Sequence, residues 1–132
     1  MTAMPDGAWA VGAIAEFEHV LTAEDIRRFV DMTGDDNPLH VDRAYAERTS
    51  FKGIVAHGML TASFLSTIVG KHLPGRGALW MSQSVEFLLP VRVGDRLRIR
   101  AEVTAVQVSQ RDRKSTRLNS SHLKLSRMPS SA

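Results

Sequence analysis

The sequence predicts one α+β domain, and three observations carry that prediction. With 132 residues, the chain has room for one core and not two. From Gly58 to Gly70 no residue is charged, while Met59, Leu60, Ala62, Phe64, Leu65, Ile68 and Val69 spread around every side of a helix. A helix that is apolar all round must be surrounded by protein. From Arg96 onward the pattern becomes strict alternation. Leu97, Ile99, Ala101, Val103 and Ala105 take one face; Arg96, Arg98, Arg100, Glu102 and Thr104 take the other. That is a strand of an antiparallel sheet with one wet face. A buried helix beside a sheet that is apolar on one side predicts a sheet curled around the helix.

The elements follow in order. Weak alternation over Ile14–Val20 predicts a first strand. Thr22 can cap a helix, with Asp25 three residues on as the returning partner of a capping box. Ile26, Phe29, Val30 and Thr33 keep helical spacing, so a helix is expected over residues 23–33. Gly34-Asp35-Asp36-Asn37-Pro38 breaks it with a loop. Asp42 can cap a short helix through Tyr45 and Arg48. The apolar helix, expected over residues 56–70 with Gly70 just past its end, is too short to cross a bilayer. Leu79–Pro90, with Val85, Phe87 and Leu89 on one face, is expected as a strand, and Val91–Asp95 as its turn.

The charge is unevenly placed. The whole chain carries +3. Residues 1–109 hold 11 Lys and Arg against 13 Asp and Glu, a net of −2; residues 110–132 hold six Lys and Arg against Asp112, a net of +5. The last stretch also holds six serines, no aromatic residue and one β-branched residue, Thr116. This composition predicts two parts: a domain over 1–109 and a basic, Ser-rich, disordered tail over 110–132. The tail has no stacking aromatic or nucleic-acid module, so no nucleic-acid partner is expected. Absence of cysteine excludes disulfides, thiolate nucleophiles and Cys-based zinc sites. Residues 1–12 lack a cationic and apolar leader pattern, and no run reaches membrane-spanning length, so a cytoplasmic location without a membrane partner is expected.

Two places concentrate chemistry. Gly34-Asp35-Asp36-Asn37-Pro38-Leu39-His40 puts a carboxylate and an imidazole five residues apart on one constrained loop. Such a pair can hold a water between them and move its protons. At Val55-Ala56-His57-Gly58-Met59 a glycine opens the apolar helix, where free N–H groups and the positive dipole end can receive a developing oxyanion. The plainer readings stay beside these. Asp-Asn-Pro strings are also ordinary turn and cap sequences, and Gly58 also permits close packing. His40, His57 and His72 match no zinc spacing, and no metal is expected.

The string Asp35-Asp36-Asn37-Pro38-Leu39-His40 resembles the D-x-N-P-x-H motif of the MaoC-like, (R)-specific enoyl-CoA hydratases. Ile54-Val55-Ala56-His57-Gly58-Met59-Leu60 is similar to that family's I-V-x-H-G-M-L segment. Gln83-Ser84-Val85-Glu86-Phe87-Leu88-Leu89-Pro90-Val91-Arg92-Val93-Gly94-Asp95 is similar to its Q-S-x-x-F-x-x-P-V-x-V-G-D strand and turn. The likeness runs from about residue 13 to 107. It implies a hot-dog fold, a homodimer, no cofactor, and reversible syn addition of water to a trans-2-enoyl-CoA, giving the (R)-3-hydroxyacyl-CoA. By the same likeness Asp35 and His40 activate the water and supply the proton at C2. The Gly58 N–H takes the thioester oxygen, Ser66 contacts the site, and Gln83 lines the acyl channel.

The family pattern continues past Val106 with two further strands, and residues 110–132 show neither their alternation nor their bulky residues. That stretch resembles translated sequencing-adapter read-through, so it is expected to be foreign, with the last two strands missing and folding or activity impaired. The competing functions are a 3-hydroxyacyl-carrier-protein dehydratase of the same family and a non-catalytic acyl-thioester-binding or interaction module. A hot-dog thioesterase fits less well, because the D-x-N-P-x-H loop is not that group's arrangement.

Overall fold

The computed structural model describes residues 10–108 and 116–128. The regular elements are β1 (Ile14–Val20), α1 (Ala23–Thr33), α2 (Pro38–Val41), α3 (Arg43–Glu47), α4 (Gly58–Thr67), β2 (Arg96–Val108) and β3 (Thr116–Met128), with one turn of π-helix, Ile68–His72, following α4. The strands form one sheet in the order β1-β2-β3.

The chain divides into two compact units. Among the described residues, the sheet unit holds 10–17, 64–82, 98–108 and 116–126. There β1 and β2 run antiparallel: the Gly12 N–H donates to Val103 O at 2.7 Å, and the Val103 N–H to Ala13 O at 3.0 Å. Period-2 alternation does what it predicts. Ile99, Ala101 and Val103 are buried with Ala15, Leu65, Ile68 and Leu73, each large aliphatic contributing about 1.5–3 kcal/mol by leaving water. On the wet face Glu16 sits 3.1 Å from Arg98, an exposed cross-strand pair that mainly fixes register.

Among the described residues, the loop unit holds 18–63, 83–97 and 127–128, and each of its short helices is explained by its cap. Thr22 Oγ1 accepts from the Asp25 N–H and the Asp25 carboxylate accepts from the Thr22 N–H, both at 3.0 Å, so the expected capping box starts α1. Gly34 ends α1 at φ 78°, where its N–H returns to Val30 O; this left-handed cap favours glycine. Asn37 Oδ1 caps α2 through the Leu39 N–H, with Pro38 preset in the first turn. Asp42 Oδ1 caps α3 through the Tyr45 N–H, as expected. The loop before α4 is held by the Ala56 N–H on Val91 O at 2.7 Å, and by the Arg92 guanidinium on the carbonyls of Phe51 and Ile54.

Two expectations are corrected. Leu79–Pro90 forms no strand; Met81 to Leu89 are all exposed. A strand exists only with a ladder partner, and this segment has none among the described residues. The apolar helix starts at Gly58 and does not stop before Gly70, but passes into the π turn through His72. It buries Leu60, Thr61, Leu65 and Ile68 while Met59 stays 55% exposed. Within the segment expected as a tail, Thr116–Met128 is β3. Backbone pairing along the open edge of β2 does not need side-chain alternation. The expectation of no leader at residues 1–9 and the start of the basic segment at 109–115 lie outside the described residues. Among the described residues no helix is long and apolar enough to cross a membrane.

Candidate active site

The Gly34–His40 segment and the start of α4 meet within the loop unit. The tight exit from α1 leaves Asp35 exposed, with Oδ1 accepting from the Asn37 N–H at 3.3 Å. The Asn37 cap then turns the chain into α2 so that His40 comes back beside Asp35. His40 is half-buried, and its Nδ1–H donates to Val55 O at 2.6 Å. A carbonyl can only accept, so this bond places the ring proton on Nδ1 and leaves the Nε2 lone pair as the basic atom.

His57 joins the group. It is 2% exposed, and its Nε2–H donates to the backbone carbonyl of Asp35 at 2.9 Å. Its ring stacks on His40 with centroids 3.8 Å apart and planes 29° from parallel; Phe29 of α1 packs on it at 4.7 Å. Ligand-capable atoms of Asp35, His40 and His57 all lie within 4.8 Å of one another. That spacing suits one water bridging Asp35 and His40. It suits a metal poorly. An imidazole binds a metal in its own plane at about 2 Å, and two stacked, nearly parallel rings do not share such a point.

Gly58 opens α4 and is half-buried. Its first-turn N–H groups have no helical acceptor, and Thr61, 4% exposed, ties the turn down through Oγ1 to Gly58 O at 2.7 Å. A side chain here would meet Phe87, whose ring lies 3.1 Å from where a Cβ would stand. Beside His40 opens a cavity of about 460 Å³, lined among others by Ile26, Ile54, Arg43, Glu47 and Arg92.

Of the residues singled out from sequence, Asp35 and His40 come together and Gly58 follows His57 directly. Ser66 is exposed in the part of α4 that belongs to the sheet unit, and Gln83 is exposed in the irregular segment. Neither is hydrogen-bonded to Asp35, His40 or Gly58 among the described residues. His57 was not singled out as a site residue. Its signals in the sequence are its position directly before Gly58 and its place as the histidine of the I-V-x-H-G-M-L segment.

Comparison with known proteins settles the family. Residues 12–124 match the model of the MaoC like domain. The chain belongs to the MaoC-like family. It is 41% identical over 95 residues to the (R)-specific enoyl-CoA hydratase of Rhodospirillum rubrum, covering 72% of this chain and 66% of that protein. It is 37% identical over 87 residues to the mitochondrial 3-hydroxyacyl-[acyl-carrier-protein] dehydratase of Arabidopsis thaliana, covering 66% of this chain and 51% of that one. Among solved structures, the (R)-hydratase from Aeromonas caviae involved in PHA biosynthesis superposes with a TM-score of 0.73 at 40% identity, over 76% of each chain. The expected α+β hot-dog class of this MaoC-like domain therefore stands. The family match also runs on to residue 124, beyond the boundary expected at 109.

Proposed function

We propose that this MaoC-like chain is a hydro-lyase that adds water reversibly and syn to a trans-2-enoyl thioester, giving the (R)-3-hydroxyacyl thioester. One observation carries the reading: the Asp35 carboxylate and the His40 imidazole lie within 4.8 Å, with His40 Nδ1–H pinned to Val55 O and Nε2 left as acceptor. The pair takes a proton from a water, the water oxygen bonds to C3, and the electron pair of the alkene moves onto the thioester oxygen. The Gly58 N–H stabilises that oxygen, where one donor is commonly worth about 10²–10³ in rate. The pair then returns a proton to C2 on the same face, so one water is added and both groups are restored. Ser66 and Gln83 are assigned to the substrate channel on the family likeness alone.

The similarity to both an enoyl-CoA hydratase and a carrier-protein dehydratase supports a thioester substrate and leaves two carriers to compare. No metal or organic cofactor enters the steps above. A homodimer and a cytoplasmic location complete the reading, with neither nucleic acid nor membrane as partner; exposed Met59 on α4 and exposed Phe87 and Leu88 support a second copy. The composition of residues 110–132 supports a segment of foreign origin, against which the family match as far as residue 124 stands. The test follows loss of enoyl absorbance with crotonyl-CoA and with crotonyl-carrier protein, using this chain and one whose residues 110–132 are replaced by the matching part of the Aeromonas relative. Hydration by either, abolished by Asp35→Asn, supports the reading. A folded replacement chain that hydrates neither thioester removes it.

A further inference from the structure

We propose that His57 is a positioning residue, which sets Asp35 and His40 against one water and ties them to the N–H of Gly58. The inference deepens the hydratase reading and rests on it for its kinetic consequence. His57 makes three contacts at once. Its Nε2–H holds the Asp35 main chain, its ring face supports His40, and its own peptide leads directly into Gly58 at the start of α4. The carbonyl it holds is 22 residues away in the chain, so the contact closes the loop that carries the acid–base pair onto the helix that carries the oxyanion donor.

Packing alone does not account for a histidine here. The residue is 2% exposed, and its Nδ1 is buried with no hydrogen-bond partner among the described residues. A buried lone pair without a donor is unfavourable, and an apolar ring would fill the same space between Phe29 and His40 without that cost. What an apolar ring lacks is the Nε2–H. The bond to Asp35 O also fixes the proton: His57 carries it on Nε2 and His40 carries it on Nδ1. The two stacked rings are therefore opposite tautomers. Each turns its protonated nitrogen toward a backbone carbonyl, and His40 keeps its Nε2 lone pair for the water.

Three variants separate the ring from the donor. His57→Phe keeps a ring and removes the N–H. His57→Gln offers an amide N–H near the same place, and His57→Ala removes both. Misplacing a reacting group by about 1 Å can cost about 10²-fold, so His57→Phe is expected to lower kcat by about that factor with KM little changed. His57→Gln is expected to recover at least tenfold of it. Nitrogen-15 NMR of the full chain reads the tautomers directly, with His57 expected as Nε2–H and His40 as Nδ1–H. Equal kcat for Phe, Gln and wild type overturns the proposal, and so does an Nδ1–H tautomer at His57 in the wild-type chain. The tautomer measurement still decides if a variant fails to fold. It also keeps this proposal distinct from the hydratase reading, which falls separately if the wild-type chain hydrates no enoyl thioester.

Discussion

Two irregular stretches of the loop unit are of opposite kinds. Between Gly34 and Asp42 the chain is turned by four short bonds, Asp36 N–H to Gly34 O, Leu39 N–H to Asn37 Oδ1, His40 N–H to Asn37 O and Asp42 N–H to Pro38 O, and is then held from outside by Val55 O and His57. Between Gln83 and Leu89 every residue is exposed, Val85, Phe87, Leu88 and Leu89 among them, and no hydrogen bond closes the segment among the described residues. The first stretch is shaped by its own sequence and anchored by two distant residues. The second has the apolar content of a covered strand and, among the described residues, no surface that covers it. A site that must hold two groups within a few ångströms is built where hydrogen bonds close the backbone; binding and assembly surfaces are left where they do not.

The largest expected effect breaks the first stretch. Asp35→Asn and His40→Gln should each lower kcat by about 10²–10⁴-fold, the usual contribution of a general acid or base. Asp35 is exposed, so its exchange should leave thermal unfolding almost unmoved. An Asp35→Asn protein with full turnover means that the tightness of this loop serves only the fold.

The next effect joins the two stretches, because Phe87 lies against Gly58. A Cβ at residue 58 stands 3.1 Å from the Phe87 ring, which must give by a few tenths of an ångström. Gly58→Ala should lower kcat/KM on the order of tenfold by displacing the helix start. Adding Phe87→Ala should restore much of it, a non-additivity expected of residues in contact. Simple addition of the two losses would place the sensitivity of Gly58 in something other than this contact.

The same contrast explains what was legible in the sequence. Thr22 with Asp25 and Asp42 with Tyr45 are caps whose partner lies three residues on, and both are found as expected. The alternation of β2 was legible because one face of a strand is buried whatever its neighbours are: Leu97 and Ile99 are fully buried. Leu79–Pro90 was misjudged because apolar, β-rich composition states a wish for a partner and not its presence. Asp35 and His40 were legible from a short motif. His57 also stands in a short motif, but its role was not legible, since it depends on a carbonyl 22 residues distant and on a ring stack that no local spacing encodes.

A third prediction supplies the second stretch with a partner. Leu88 is 83% exposed and Phe87 55%; in a homodimer such side chains are covered. Leu88→Ser should weaken self-association about tenfold, since fully burying a leucine is worth roughly 1.5–3 kcal/mol. Sedimentation velocity across a concentration series reads this. A wild-type chain that stays monomeric at every concentration sinks the homodimer reading and leaves the exposed apolar run as a site for something else.

The smallest effect tests whether a locally closed element stands by itself. Asp25 closes the α1 capping box and also accepts from His19 Nε2–H at 2.7 Å. Burial pushes its carboxyl up, but the hydrogen bonds from His19 and from the Thr22 N–H outweigh that and hold it below the ordinary 3.8. A carboxylate whose folded pKa lies below its unfolded one stabilises the fold well above 3.8, and loses that contribution as the pH falls through the folded value. Asp25→Ala should therefore cost about 1 kcal/mol near neutral pH, the usual worth of a cap. The gap between wild type and variant should close as denaturation is repeated at progressively lower pH. A gap that stays constant into strong acid means the cap acts through the shape of the side chain and not through its charge. The start of α1 would then be fixed by the Thr22 hydroxyl on the Asp25 N–H, a bond that needs no ionised group.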